Sequence, residues 1–246
     1  MKRNKVVLIT GSSRGIGAGI AEEFAKNGYD IVINYNHSEK EANKLKLALE
    51  NIYSISAICI KADISTEPEV KQMIEKAIEK FGKIDVLVNN AAIAIDKDFS
   101  DRTLEDFEKT FAVNVFGTFL VSKYVSEYML QRKKGKIINI SSTNGIDTFY
   151  PTSIDYDASK SSIISLTKNM AIEFAPYINV NAIAPGWVNT DMNKELPEDF
   201  LGEEKNKILL HRFAKIEEVA KLVCFLASDD SDYINGEVIR IDGGML

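Results

Sequence analysis

Val6-Val-Leu-Ile-Thr-Gly-Ser-Ser-Arg-Gly-Ile-Gly17 decides the fold. Val6 to Thr10 is a short run, apolar on both faces, as a strand buried inside a parallel sheet must be. It passes directly into a turn carrying Gly11, Gly15 and Gly17, and a helical pattern starts at Ile16. Glycine permits a tight turn and close approach of backbone to ligand. A helix that begins there aims its unpaired N–H groups and the positive end of its dipole at the turn, where a pyrophosphate is the natural occupant. Gly11, Ser13, Arg14, Gly15, Ile16 and Gly17 are therefore candidate phosphate-binding residues. The spacing is G-x-x-x-G-x-G rather than the G-x-G-x-x-G of many dinucleotide folds. A strand–helix turn that binds nothing is the competing reading, and the flanking strand and helix argue against it.

Outward from this turn, short β-branched runs alternate with amphipathic stretches. The candidate strands are Val6 to Thr10, Ile31 to Tyr35, Ser56 to Lys61, Val86 to Asn89, Lys136 to Ile140, Asn179 to Ala182 and Val238 to Ile241. The candidate helices are Ile16 to Asn27, Glu39 to Glu50, Glu67 to Phe81, Leu104 to Leu130, Tyr156 to Ala175 and Val219 to Ala227. Leu196 to Leu210 is less regular and reads as a mobile flap. Such alternation predicts α/β architecture, a doubly wound parallel sheet of Rossmann type with helices on both faces. No linker or repeat interrupts it, so residues 1–246 are expected to form one dinucleotide-binding and catalytic domain with a substrate flap around 187–212.

Bulk properties exclude several classes. A net charge of −6 speaks against nucleic acid as partner. The one dense basic cluster, Arg132-Lys133-Lys134 with Lys136, reads as a solvated turn. Cys59 and Cys224 lie in apolar runs without metal-ligand spacing, and His37 and His211 have no partner at ligand spacing, so no metal site is expected. The apolar run behind the basic start is too short for a signal-peptide core or a membrane span, and a cytoplasmic protein is the default.

Two features bear on the cofactor. Enzymes for NAD usually carry Asp or Glu at the end of the second strand, where it binds the ribose hydroxyls. Here that region reads Asn34-Tyr35-Asn36-His37-Ser38, with no carboxylate before Glu39. Arg14 stands in the turn where it can meet a 2′-phosphate. Both favour NADP(H) over NAD(H), with Asn36, His37 and Ser38 as candidate contacts. A merely solvated Arg14 is the alternative.

Tyr156-Asp-Ala-Ser-Lys160 places a tyrosine and a lysine one helical turn apart on one face. Such a pair occurs by chance in a chain of this length, so its position matters more than its spacing. It follows Ile137-Ile-Asn-Ile-Ser-Ser142, a strand ending in serines, and the carboxyl ends of strands face the ligand crevice of an open parallel sheet. Carbonyl reduction needs a hydride donor and a proton donor. A phenol near pKa 10 suits the second role once a neighbouring ammonium and a cationic oxidised nicotinamide lower it. Lys160 can supply that charge while holding the cofactor ribose, and Ser142 can hydrogen-bond the substrate oxygen as charge develops. In the reverse direction Tyr156 acts as base.

Taken in order, Thr10-Gly-Ser-Ser-Arg-Gly-Ile-Gly17, Asp63, Asn89-Asn90-Ala91, Asn114, Ser142, Tyr156-x-x-x-Lys160 and Pro185-Gly186 with Thr190 resemble the short-chain dehydrogenase/reductase family over nearly the whole chain. The resemblance implies further roles. Asp63 and Ile64 would flank the adenine, and Asn90 and Ala91 would support the ribose side. Asn114 would hold a water linking Lys160 to solvent. Ile183 to Gly186 and Val188 would pack on the nicotinamide, and Thr190 would bind its carboxamide. Leu104 to Leu130 and Tyr156 to Ala175 would form the main interface of a homotetramer. Ala92 departs from the family's usual glycine, which implies modest crowding. One extra residue between Ser142 and Tyr156 leaves Ser141 as an alternative serine, although Ser142-x-x-Gly145 favours Ser142.

Within the family the chain is most similar to 3-oxoacyl-acyl-carrier-protein reductases, on the Gly11–Gly17 turn and the Ile234-Asn-Gly to Ile241-Asp-Gly-Gly-Met245 ending. That implies an acyl-thioester substrate and acyl carrier protein as a partner. The acidic carrier needs basic contacts. Lys133 matches one such site, whereas Ala175-Pro-Tyr-Ile178, where the other would fall, has no cation. Sugar, polyol and other small-carbonyl dehydrogenases share the same motifs. So, less closely, do sugar-nucleotide epimerases and non-catalytic cofactor-binding proteins, although the latter typically lose the Tyr or Lys.

Overall fold

The computed structural model describes residues 4–190 and 196–245. A seven-stranded, all-parallel sheet runs β3-β2-β1-β4-β5-β6-β7. Its strands are β1 (Val6–Ile9), β2 (Asp30–Tyr35), β3 (Ala57–Lys61), β4 (Val86–Asn89), β5 (Gly135–Ile140), β6 (Ile178–Pro185) and β7 (Val238–Ile241). Between them run helices α1 (Gly15–Lys26), α2 (Glu39–Tyr53), α3 (Glu67–Phe81), α4 (Leu104–Phe111), α5 (Thr118–Gln131), α6 (Ile154–Glu173), α7 (Glu198–Asn206) and α8 (Ile216–Ala227). This is the expected Rossmann-like α/β domain.

Side chains alternate across a strand, so one apolar run feeds two cores. Val7, Ile9, Ile31, Ile33, Val86 and Val88 pack with Ile20 and Phe24 of α1, Ala42 and Leu49 of α2, and Val219, Val223 and Leu226 of α8. Val6, Leu8, Val32 and Leu87 face the other way, onto Val70, Met73 and Ile74 of α3, Val121 and Val125 of α5, and Met170 of α6. The strand pattern is apolar throughout because both faces are covered.

Strand order reverses between β1 and β4, and ligands bind beside such switch points at the carboxyl ends of the strands. The glycine turn after β1 and Asn90-Ala91 after β4 therefore stand side by side.

Three expectations need correction. Leu104 to Leu130 is not one helix: a π-helical segment, Ala112–Gly117, interrupts it. Strand β6 extends past Ala182 to Pro185, because Ala182, Ile183, Ala184 and Pro185 continue parallel pairing with β7. Part of Leu196 to Leu210 is ordered as α7, which Pro197 precedes as N-cap. Residues 191–195 of the expected flap lie outside the described residues. Among the described residues no helix is long and apolar enough to cross a membrane.

Candidate active site

The glycine turn has the features that an anion site requires. Helix α1 opens at Gly15, its N-cap Arg14 makes no side-chain capping bond, and its first turn carries no acidic residue. Helices α2, α3, α4, α7 and α8 all carry carboxylates there. The positive end of α1 is thus left to a ligand. Gly15 sits at φ +58°, a conformation L side chains rarely adopt, and the space beside its Cα is open.

The far side of the turn is closed by Asn90. Its amide donates to the carbonyls of Thr10 (2.9 Å) and Gly11 (3.1 Å), while Thr10 Oγ1 accepts from the backbone N–H groups of Asn90 (2.9 Å) and Ala91 (3.0 Å). Gly11 N donates to Asn34 Oδ1 at 3.1 Å, which ties the turn to β2 as well. Ser13, Gly15 and Ile16 are partly exposed and Gly17 is buried. Arg14 is exposed, and its side chain makes no hydrogen bond or ion pair among the described residues. These features fit a dinucleotide pyrophosphate held by backbone N–H groups.

The residues expected around the adenosine behave differently from one another. His37 is exposed and Ser38 partly so. Asn36 donates to Asp63 Oδ2 at 3.1 Å, and Asp63 Oδ1 accepts from the backbone N–H (2.9 Å) and hydroxyl (2.6 Å) of Ser65. Burial pushes the Asp63 carboxyl up, but bonds from Ser65 and Asn36 hold it below the usual range. Ile64 is buried, and its side chain fills the space a Cβ on Gly117 would need.

Tyr156, Lys160 and Ser142 meet at the carboxyl end of β5. Tyr156 and Lys160 stand one turn apart on α6, with the lysine nitrogen 5.4 Å from the tyrosine ring centroid. Lys160 is buried and donates to the Ile140 carbonyl at 2.8 Å. Ser142 exchanges hydrogen bonds with Asn144 and lies within hydrogen-bonding reach of the Tyr156 phenol. Ser141 is spent on structure, since its hydroxyl donates to the Lys160 carbonyl at 2.8 Å. The serine left facing the phenol is Ser142. Gly145 packs so closely on α6 that a Cβ would lie 2.6 Å from the Lys160 carbonyl carbon, which accounts for glycine three residues after Ser142.

Burial pushes the Tyr156 phenol up to about 12, Ser142 draws it down, and Asp157 raises it further. Burial pulls the Lys160 ammonium down to about 8. The lysine nitrogen is directed at the Ile140 carbonyl, and the protein interior disfavours both charged forms.

Asn114 ties this region together. It is buried in the π-helical segment, where both its N–H groups are committed, to Ile93 O (2.9 Å) and Ser159 Oγ (3.0 Å). Its Oδ1 accepts from Ile93 N at 2.8 Å. The side chain bridges the segment after β4 to α6, at the residue next to Lys160. On the far wall Pro185 ends β6 and is buried, and Gly186 packs on Asp242. Val188 is buried and bridges to Ala214, while Thr190 is partly exposed. Ala92 is exposed and crowds nothing.

Sequence reading misses two constellations. Arg102 and Asp155 form a buried ion pair at 2.6 Å directly before Tyr156. Tyr150, Trp187 and Glu204 share hydrogen bonds that join the loop after β5, the segment after β6 and α7. The partners are far apart in the chain, so no spacing reveals them; the only signals are an acidic residue beside Tyr156 and the lone tryptophan after Pro185-Gly186.

A parallel sheet with an anion-binding turn at its switch point and a Ser–Tyr–Lys cluster beside it defines a nicotinamide-dependent oxidoreductase of the doubly wound class. The chain belongs to the short-chain dehydrogenase/reductase family. A family profile described as enoyl-(acyl carrier protein) reductase matches residues 11–246. The chain is 39% identical over 244 residues to the 3-oxoacyl-[acyl-carrier-protein] reductase of Aquifex aeolicus, covering 99% of this chain and 98% of the relative. It is 38% identical over 243 residues to the enzyme of that name from Thermotoga maritima, covering 98% of each. Among solved structures it resembles a short-chain dehydrogenase/reductase from Serratia marcescens (TM-score 0.92, 33% identity, 98% of both chains). It also resembles a 3-oxoacyl-[acyl-carrier protein] reductase from Brucella melitensis (TM-score 0.92, 29% identity, 99% of this chain and 91% of the other).

Proposed function

We propose that this oxidoreductase uses NADP(H) to interconvert a carbonyl and a secondary alcohol, with 3-oxoacyl thioesters as its substrates. The observation that carries the reading is the convergence of Ser142, Tyr156 and Lys160 beside an anion-ready turn at one sheet switch point. The cofactor supplies or accepts the hydride. The protein's own groups do the rest. Ser142 donates a hydrogen bond to the substrate oxygen, and Tyr156 delivers the proton as negative charge develops there. A phenol near 12 is fully protonated at neutral pH, which suits the reducing direction. Lys160 holds the cofactor ribose, and with a cationic nicotinamide bound beside it the two charges together would favour departure of the phenolic proton. Asn114 positions Lys160 through Ser159.

Arg14, unpaired and at the mouth of the turn, supports NADP(H) over NAD(H) by offering a guanidinium to the 2′-phosphate. The carrier-protein surface is thin. Arg132 pairs with Asp85 and Lys134 with Asp229, whereas exposed Lys133 has only the Tyr177 ring beneath it. Lys133 alone is left to meet an acidic carrier, so small thioesters and carrier-bound ones are both substrates in this reading. We place the enzyme in the cytoplasm as a homotetramer, with residues 187–212 as the substrate flap.

Replacing Tyr156 with Phe removes the proton donor and should lower turnover at least ~100-fold while NADPH affinity, read by fluorescence titration, changes little. Near-normal reduction of acetoacetyl thioester by that variant would remove Tyr156 from the chemistry.

A further inference from the structure

We propose that Tyr150, Trp187 and Glu204 form a latch across the crevice mouth that selects substrates with short chains beyond the reacting carbonyl. The proposal rests on the carbonyl-reductase reading and specifies its substrate class.

The three residues come from three separate segments. Tyr150 lies in the loop between Ser142 and Tyr156, after the carboxyl end of β5. Trp187 follows Gly186 at the carboxyl end of β6, the neighbouring strand. Glu204 projects from α7 of the flap and is 1% exposed. Its Oε2 accepts from Tyr150 OH at 2.5 Å and from Trp187 Nε1 at 2.9 Å, and its Oε1 accepts from Lys207 at 2.5 Å. Trp187 Nε1 also reaches Tyr150 OH at 3.1 Å. Burial pushes the Glu204 carboxyl up, but the bonds from Lys207, Tyr150 and Trp187 outweigh it and keep the group ionised.

Aromatic packing closes the same gap. Trp187 stacks on Phe213 (centroids 5.4 Å apart) and meets Phe200 and Tyr150 edge-on at 5.9 and 6.1 Å. Asp157, beside the catalytic tyrosine, anchors the loop by accepting from Tyr150 N, Ser153 Oγ and Asn144. Helix α7 is thereby bolted to the loop that runs from Ser142 to α6, which carries Tyr156. A chain leaving the site between loop and flap must part Tyr150 from Glu204, which takes one of three hydrogen bonds from a buried carboxylate and leaves Lys207 and Trp187 to hold it. A short acyl group makes no such demand. Specificity then comes from a penalty on long substrates as much as from contacts to short ones.

Trp187 is the only tryptophan in the chain, so its emission reports the latch without any need for turnover. The test compares wild type with Tyr150→Phe and Glu204→Gln, using 3-oxoacyl and 3-hydroxyacyl N-acetylcysteamine thioesters of four and twelve carbons. NADPH oxidation gives kcat/KM, and Trp187 emission gives binding of the hydroxyacyl compounds. Wild type should favour the short substrate at least ~10-fold, and each variant should reduce that preference several-fold, chiefly by tighter binding of the long one. Equal length dependence in all three proteins, no length dependence in wild type, or no ligand-dependent change in emission overturns the latch. Length-dependent binding without turnover of any thioester sinks the reductase reading and leaves the latch standing.

Discussion

Tyr156 and Lys160 are both displaced toward neutrality by burial, and their pH behaviour follows from the direction of each shift. The ammonium is charged below about 8 and neutral above it. The phenol stays protonated until about 12. The reducing direction needs both protons in place, so kcat/KM for reduction should be level from pH 6 to about 8 and decline above it as Lys160 loses its charge. Oxidation of the alcohol needs the phenolate and should instead rise as pH increases. A reduction profile still rising above pH 9 would contradict the assignment. Arg14 makes a second case at this scale. Its substitution by Ala should lower kcat/KM with NADPH at least ~10-fold and with NADH less than ~3-fold, since a charge-assisted bond to a 2′-phosphate exists only with the former. Parallel losses with the two cofactors would assign Arg14 to the turn alone.

Among elements, the junction of α4, the π-helical segment and α6 controls where Tyr156 stands. Arg102 reaches across from the segment before α4. It pairs with Asp155 Oδ1 and donates to the carbonyls of Ile95 (2.9 Å), Lys97 (3.2 Å) and Thr152. Asp155 Oδ2 accepts from Thr110 at 2.6 Å, which adds α4 to the knot. Removing one partner leaves the other charge buried alone, so Asp155→Ala or Arg102→Ala should each cost about 3–5 kcal/mol by urea denaturation. Replacing both with apolar residues of similar volume should recover much of that loss. A surface-like effect below about 1 kcal/mol for the single variants would mean that the pair is solvated. Asn114 works at the same level: its turn of π-helix lets a buried amide serve Ile93 and Ser159 together, as single π turns within helices often do at functional sites.

For the whole molecule, apolar side chains on α4, α5, α6 and the segment between α4 and α5 stay open to solvent: Leu104, Phe116, Phe119 and Ile172 are all exposed, the last at 79%. A chain with this surface is expected to self-associate, and the expected homotetramer would cover these helices. Sedimentation should show an assembly larger than one chain, and Phe119→Glu combined with Ile172→Glu should shift it to smaller species without unfolding. A wild-type protein that sediments as a monomer at micromolar concentration would exclude the tetramer.

Seven strands, their parallel arrangement and the anion-binding turn were legible in the chain because each follows from a local pattern: apolar runs, glycine spacing, a helix starting at a known residue. Tyr156 and Lys160 were legible for the same reason, one turn of helix separating them. The break at Ala112–Gly117, the Arg102–Asp155 pair and the Tyr150–Trp187–Glu204 cluster were not. Their partners lie tens of residues apart and meet only once the strand ends are set side by side. The protonation state of the site is likewise tertiary, since burial, which no local pattern measures, moves Lys160 and Tyr156 in opposite directions. Local periodicity specifies which groups face the crevice; the packed fold alone sets their distances, their dielectric surroundings and which of them are already spoken for.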